Sequence, residues 1–262
     1  MKKLLENNYN LTDVVIIKNI ESTDGNVYNI NAKQGKYILK IYNDELHSRV
    51  MGNLLDELNK KNFYVPHVLE NKGKKKYTKV NNKFYMIYSF LEGEPLKKLT
   101  PISSDISIKL ADELRRFHDE CTNLDNIKLK RVNFFESNLR KSILHFDLTK
   151  GNIFYNKNTE KIGFIDFDDA KYGETIIDIA ILIANLYFSK TKQTNFEGIK
   201  IFLNEYYKND DELKKTEIRL IKSAAEKWID YVLNRNIFES STTESFKVKK
   251  EKIEEFNFEQ FI

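Results

Sequence analysis

A single cysteine, Cys121, stands among 262 residues, which excludes an internal disulfide and a cysteine zinc cluster and fits a chain kept in a reducing compartment. Long apolar runs are missing too. The most apolar stretch, IIDIAILIANLYF (176–188), is 13 residues long and carries Asp178 and Asn185. A bilayer crossing needs roughly 20 apolar residues, so this stretch reads as a buried helix and no membrane partner is expected. The opening MKKLLENNYN has two lysines with no apolar segment behind them, so a signal peptide is not expected and a cytoplasmic location is. A surplus of one charge is also lacking. Basic residues number 43 and acidic residues 39, for a net +4, and the lysines are dispersed rather than gathered into a block, so no nucleic-acid partner is implied. Internal repeats and low-complexity segments are absent from the sequence, which excludes solenoid and linker architectures.

With 41% hydrophobic and 13% aromatic residues the chain can bury a sizeable core, and its length suits two lobes sharing a cleft. Its first ninety residues are rich in β-branched and aromatic runs. VVIIKNI (14–20), NVYNINA (26–32) and YILKIYN (37–43) are separated by STDG and KQG, which predicts a three-stranded antiparallel meander. Leu46, Val50, Leu54 and Leu58 then make an i, i+4 stripe ending near Pro66, the pattern of one helix. KKYTKV (75–80) and KFYMIYSFL (83–91), joined by Asn81 and Asn82, predict a second hairpin. After EGEPL (92–96) the pattern turns helical, with Leu110, Leu114 and Phe117 on one face of residues 107–120. The expected architecture is therefore α+β, with an antiparallel N-lobe over 1–91 and a mainly helical C-lobe over 92–262. In the tail, Tyr206, Tyr207, Trp228, Tyr231 and Phe238 read as core more readily than as a pocket lining. The lysine runs GKKKY (73–77) and KVKKEK (247–252) read as a solvated hairpin tip and a solvated helix face rather than as phosphate-binding patches.

The chemistry concentrates in ILHFDLTKGNIFYN (143–156). His145, Asp147 and Asn152 form H-x-D-L-x-x-x-N, the spacing of a kinase catalytic loop, and Asp166 follows in FIDFDDA. Asp147 is placed to accept a proton from an attacking hydroxyl. Asn152 and Asp166 offer the hard oxygen ligands that Mg²⁺ prefers. A plain β-hairpin turn is the competing reading, since Asp, Asn and Gly are common turn residues. Upstream residues argue against it. Lys40 sits in the third strand between Leu39 and Ile41, where a half-buried lysine needs an anion such as a nucleotide phosphate. The first turn, ESTDGN (21–26), offers Ser22, Thr23, Gly25 and backbone N–H groups to phosphates, although it lacks G-x-G-x-x-G.

HFDLTKGNIFYN, IGFIDFDDAKYGETIIDIA, FYMIYSFLEGEPL and LADELRRFHDE together resemble the aminoglycoside phosphotransferase and choline kinase superfamily, with its protein-kinase-like fold. The resemblance runs from about residue 14 to 188 and is strongest over 143–180. It implies that Asp147 is the catalytic base, that Asn152 and Asp166 hold Mg²⁺, and that Lys40 binds the α/β-phosphates of ATP. It also implies that Ser89, Phe90 and Leu91 form the edge that pairs with adenine, and that Asp178 and His145 brace the catalytic loop. Two departures stand out. Phe146 occupies a position that is usually Gly, and Thr149–Lys150 replaces the usual His-Pro. The glutamate that pairs with the lysine aligns with Met51, which leaves Glu57 as the substitute.

Only eleven residues separate Asp166 from Asp178, too few for a protein-kinase activation loop, and no A-P-E segment is present. The expected activity is ATP- and Mg²⁺-dependent phosphoryl transfer to a small hydroxylated substrate. An aminoglycoside would want clustered carboxylates, a choline-like cation an aromatic cage such as Trp228 and Tyr231, and homoserine or a sugar neither. A nucleotide-binding module without catalysis is the alternative from another class.

Overall fold

The computed structural model describes residues 1–18, 26–124, 127–135, 139–189, 191, 193–235 and 240–262. The chain divides into two compact units, one comprising 1–92 with 163–165 and the other 93–162 with 166–262. The antiparallel-sheet and helical character expected of the two halves is met.

In the first unit, helix α1 (Lys2–Asn8) precedes strands β1 (Val15–Lys18), β2 (Val27–Ala32) and β3 (Gly35–Tyr42). Helix α2 (Glu45–Lys60) and strands β4 (Thr78–Val80) and β5 (Lys83–Ser89) complete it. The five strands form one sheet in the order β1-β2-β3-β5-β4, with antiparallel neighbours. Asn81 and Asn82 both take positive φ, 47° and 59°, as a two-residue turn matched to strand twist requires. Alternation along β3 sends Leu39 to one face, where it joins Leu5, Tyr9, Ile30 and Ile87 in a core cluster. Helix α1 supplies part of that cluster. It was not anticipated, because seven residues are too few for a periodic signal.

Lys40 points to the other face, in register with Val27 and Met86. Helix α2 covers this face closely: a Cβ on Gly52 would lie 3.5 Å from Met86 Cε. Its buried side is Met51, Leu54, Leu55 and Leu58, whereas Leu46 is 54% exposed. The apolar stripe is thus rotated from the expected Leu46–Val50 line. Asp44 caps the helix by accepting from the N–H groups of Leu46 and His47, and its first turn is solvated.

The second unit contains β6 (Glu94–Pro95), α3 (Ser104–Glu120), β7 (Lys141–Leu144), β8 (Ile153–Asn156) and β9 (Lys161–Phe164). It continues through β10 (Lys171–Glu174), α4 (Thr175–Leu186), α5 (Phe196–Tyr206), α6 (Asp211–Asn234) and α7 (Ser240–Glu255). Helix α4 is buried at eleven of its twelve positions, as its apolar run predicts, and no described helix is long and apolar enough to cross a membrane. Tyr206, Tyr207 and Trp228 are core residues, at most 2% exposed.

Strand β7 pairs with β10, while β8 lies between β6 and β9. The segment joining β7 to β8 therefore links two separate sheets and is not a hairpin turn. Behind β7, Gly173 of β10 faces Ser142, and a Cβ there would fall 2.5 Å from the carbonyl oxygen of Val132. Gly173→Ala is expected to lower stability by roughly 1–3 kcal/mol, the usual cost of overpacking. Denaturant titration of the two proteins checks this.

Candidate active site

The loop after β7 is tied down from beneath by one carboxylate. Asp178 of α4 is fully buried and accepts from the backbone N–H of His145 at 2.7 Å and of Phe146 at 2.8 Å. His118 Nε2 lies 3.3 Å from the same carboxylate, and His118 Nδ1 is 2.7 Å from the hydroxyl of Tyr206. Burial depresses the His118 pKa despite the neighbouring carboxylate, so the ring is neutral. The consistent assignment has Arg140 donating to the Tyr206 hydroxyl, Tyr206 donating to Nδ1, and Nε2–H donating to Asp178. Arg140 thus supplies positive charge at the far end of a relay that stabilises a buried anion.

Phe146 takes φ 66°, in the left-handed region, which explains why glycine is usual at this position. Its buried ring meets Tyr231 edge-on at 5.4 Å and carries Lys171 Nζ 5.5 Å above it. These contacts offset the roughly 1–2 kcal/mol that a side chain in this conformation costs. His145 stacks against Phe167 at 4.5 Å, and its Nδ1 accepts from the N–H of Asp147 at 3.3 Å. It supports the loop from within.

Asp147 and Asn152 come together directly. The Asn152 amide nitrogen donates to the carboxylate of Asp147 at 2.7 Å and to its carbonyl oxygen at 3.0 Å. With the nitrogen so committed, the amide presents its oxygen elsewhere. Asp166 also adopts a left-handed conformation, φ 66°, and begins a single 3-10 turn over Phe167–Asp169. Burial, followed by the negative charges of Asp166 and Asp169, pushes the Asp147 carboxyl up to about 7, against a downward pull from Asn152 and Arg235. Asp147 therefore senses two further carboxylates here. Asp169 is answered by Arg235, 3.1 Å away, and by Lys171 at 4.0 Å.

The donor set suits a hard divalent cation. Among the described residues no three His, Cys, Asp or Glu side chains group into a cage made of protein alone.

His145, Asp147, Asn152, Asp166 and Asp178 all fall in the second unit, apart from the short 163–165 segment, and Lys40, Glu57, Ser89, Phe90 and Leu91 in the first. Glu57 is engaged by Lys60 at 2.7 Å, and Met51 is buried at 3% exposure. The N–H groups of Ser89 and Phe90 donate to the carbonyls of His67 and Lys36. Ser22, Thr23 and Gly25 lie outside the described residues. Several contributors carry no mark in the motif: His118, Arg140, Asp169 and Arg235, together with Asn185, whose amide nitrogen donates to the carbonyl of Leu148 at 3.3 Å.

Residues 122–208 match the model of the phosphotransferase enzyme family. That span holds the 145–152 loop, the Asp166 turn and α4, where the sequence resemblance is strongest, and the resemblance to this superfamily is borne out. The fold is likewise that of solved small-molecule kinases. An amicoumacin kinase in complex with AMP-PNP, Ca²⁺ and its antibiotic aligns with 100% of this chain and 97% of its own, at 18% identity and a TM-score of 0.75. A spectinomycin phosphotransferase in complex with ADP and spectinomycin aligns over 99% and 95%, at 17% identity and a TM-score of 0.60. A Plasmodium vivax ethanolamine kinase aligns over 95% and 83%, at 16% identity and a TM-score of 0.65. No curated protein sequence matches the chain.

The raised Asp147 value makes a stability prediction. The folded chain holds this proton more tightly than the unfolded chain does, so the contribution of Asp147 to stability is greatest at low pH and falls as pH rises from about 3.8 to about 7. Without divalent cations, Asp147→Asn should therefore be more stable than the parent by roughly 1–4 kcal/mol at pH 8 and equal to it near pH 4. Thermal melts in chelator at the two pH values check the sign.

Proposed function

We propose that the protein is an ATP- and Mg²⁺-dependent O-phosphotransferase of the aminoglycoside phosphotransferase type, moving the γ-phosphate to a hydroxyl of a small molecule. The observation that carries this reading is the Asp147 carboxylate, fixed by Asn152 at 2.7 Å in a loop held by Asp178, with its proton affinity raised toward neutrality. A base is most useful when its pKa lies near the working pH, because it is then both ionised and able to take a proton.

Asp147 accepts the proton of the acceptor hydroxyl as the oxygen attacks phosphorus. Asn152 keeps one carboxylate oxygen directed inward, so the other faces the substrate. Asn152 through its amide oxygen and Asp166 through its carboxylate would hold Mg²⁺, which supplies neutralisation of the phosphate oxygens. Binding a cation there also relieves the repulsion among Asp147, Asp166 and Asp169. Lys40 takes the α/β-phosphates, with Ser22, Thr23 and Gly25 as further donors to them. In the edge 89–91, Ser89 and Phe90 already use their N–H groups, which leaves the backbone of Leu91 as the group to pair with adenine. Most of the rate enhancement comes from positioning and charge compensation.

The test is Mg²⁺-dependent ATP turnover by the purified protein across aminoglycosides, choline, ethanolamine, homoserine and simple sugars. Asp147→Asn should lower kcat by roughly 10²–10⁴-fold, the range for losing a general base, with little change in the Kd of ATP. Turnover that survives Asp147→Asn would remove the assignment, and ATP binding without turnover for any hydroxylated acceptor would favour a non-catalytic nucleotide-binding module.

A further inference from the structure

Helix α4 is buried at every position but one, and the exception is the half-buried Asn185. Its side chain is engaged at both ends. The amide nitrogen donates to the carbonyl of Leu148, the residue after Asp147, at 3.3 Å. The amide oxygen accepts from Nζ of Lys249, on α7, at 3.0 Å. A lysine ammonium only donates and a backbone carbonyl only accepts, so each partner rejects the flipped amide. One side chain thus joins α7 to the 145–152 loop in a single orientation.

The lie of α7 places Lys249 for this contact, so the KVKKEK run is not uniformly solvated. Ile253, the one buried residue of α7, is four positions on and shares a helix face with Lys249. Lys252, three positions on, donates to the carbonyl of Ser189 at 2.5 Å, four residues past Asn185. Two lysines on one side of α7 therefore meet two successive points of the chain at the end of α4. Toward α6, Lys250 pairs with both oxygens of Asp230 at 2.7 and 2.9 Å, and Phe246 meets Trp228 edge-on at 5.6 Å. With one buried side chain, α7 is positioned by these contacts more than by a core of its own.

We propose that Lys249 is a positioning residue for Asp147, acting through Asn185. The ammonium fixes the amide, the amide holds the Leu148 carbonyl, and the peptide that follows Asp147 is thereby set by the C-terminal helix. Asp178 grips the entry to the loop through the N–H groups of His145 and Phe146, so losing Lys249 frees the exit side while the entry stays fixed. Misplacing a catalytic group by about 1 Å can cost roughly 10²-fold in rate. The use of Asp147 as a base rests on the phosphotransferase reading above; the tether does not.

The test has two arms, and the first needs no activity. In NMR spectra of the ¹³C,¹⁵N-labelled full-length protein at neutral pH, Lys249→Met should shift the Asn185 side-chain amide, the Leu148 carbonyl carbon and the Thr149 amide. Lys250→Met, which cuts α7 from Asp230 alone, should leave the Leu148 and Thr149 signals in place. The second arm is turnover with an acceptor found active in the panel above. Lys249→Met and Asn185→Leu should each lower kcat roughly tenfold to a hundredfold with the KM for ATP little changed, and Lys249→Arg should recover most of the rate. The double variant should be no slower than Asn185→Leu alone, because Lys249 acts only through that amide. Lys249→Met keeps the stem that lies against Phe246, and thermal melts of the same samples separate lost positioning from lost fold; Lys249→Ala, a good helix former, carries the same expectation. Unmoved Leu148 and Thr149 signals in Lys249→Met, an unchanged kcat, or losses that multiply in the double variant would overturn the proposal. Should the parent turn over no acceptor, the phosphotransferase reading fails, while the NMR arm still decides the tether.

Discussion

The buried Asp178 carboxylate is the interaction on which the rest of the site depends. An ionised group with no exposure is tolerated only when its oxygens are fully engaged, and here they receive two backbone N–H groups and a neutral imidazole. Those two N–H groups belong to His145 and Phe146, so satisfying the charge and setting the loop's conformation are one event. Asn185 lies seven residues further along α4 and meets the carbonyl of Leu148. Seven residues are close to two helical turns, about 10 Å of rise on one face. An otherwise apolar helix therefore grips the loop at two points from a single side, leaving Asp147 between them. The left-handed Phe146 follows from this geometry: consecutive N–H groups that converge on one carboxylate require the chain to turn sharply just before Asp147.

Charge is then distributed so that the site is incomplete without ligands. Burial and the charges of Asp166 and Asp169 raise the affinity of Asp147 for a proton, against a downward pull from Asn152 and Arg235, and Asp169 itself is paired by Arg235 and Lys171. A cation bound beside Asp147 would relieve that repulsion. On the Leu148 side of the loop, Lys249 of α7 donates to the Asn185 side chain, which donates in turn to the Leu148 carbonyl. Groups fixed in this way need no reorganisation when ligands arrive.

Much of this was legible because local chemistry carried it. Strand alternation placed Leu39 and Lys40 on opposite faces, Asn81–Asn82 announced a tight hairpin, and H-x-D-L-x-x-x-N named Asp147 and Asn152 through spacing alone. What escaped notice depends on tertiary placement. His118 sits in an amphipathic helix whose periodicity explains its burial but not its partner sixty residues away. Asn185 reads as a polar interruption in an apolar run, and only the path of the loop gives it a role. Lys249 lies in a charged hexamer that looks solvated on any composition argument; one position of the helix turns inward while Lys250 beside it stays on the surface. Phe146 looked like a departure from pattern, and its cost is offset by Tyr231 and Lys171, which come from separate elements.

The same distinction governs what the tail says about the acceptor. Its acidic residues suggest, by number, a surface for a polycation, yet several of them already have structural roles. Asp210 caps α6 by accepting from the N–H of Leu213, and Asp211 and Glu212 occupy the first turn of that helix, where negative charge complements the dipole. Asp230 is held by Lys250. Glu217 is buried, bonded by Tyr207 at 2.7 Å and near Thr175, so it belongs to the framework behind the loop. Asp210, Asp230 and Glu217 would each have to give up a partner to receive an ammonium from a substrate.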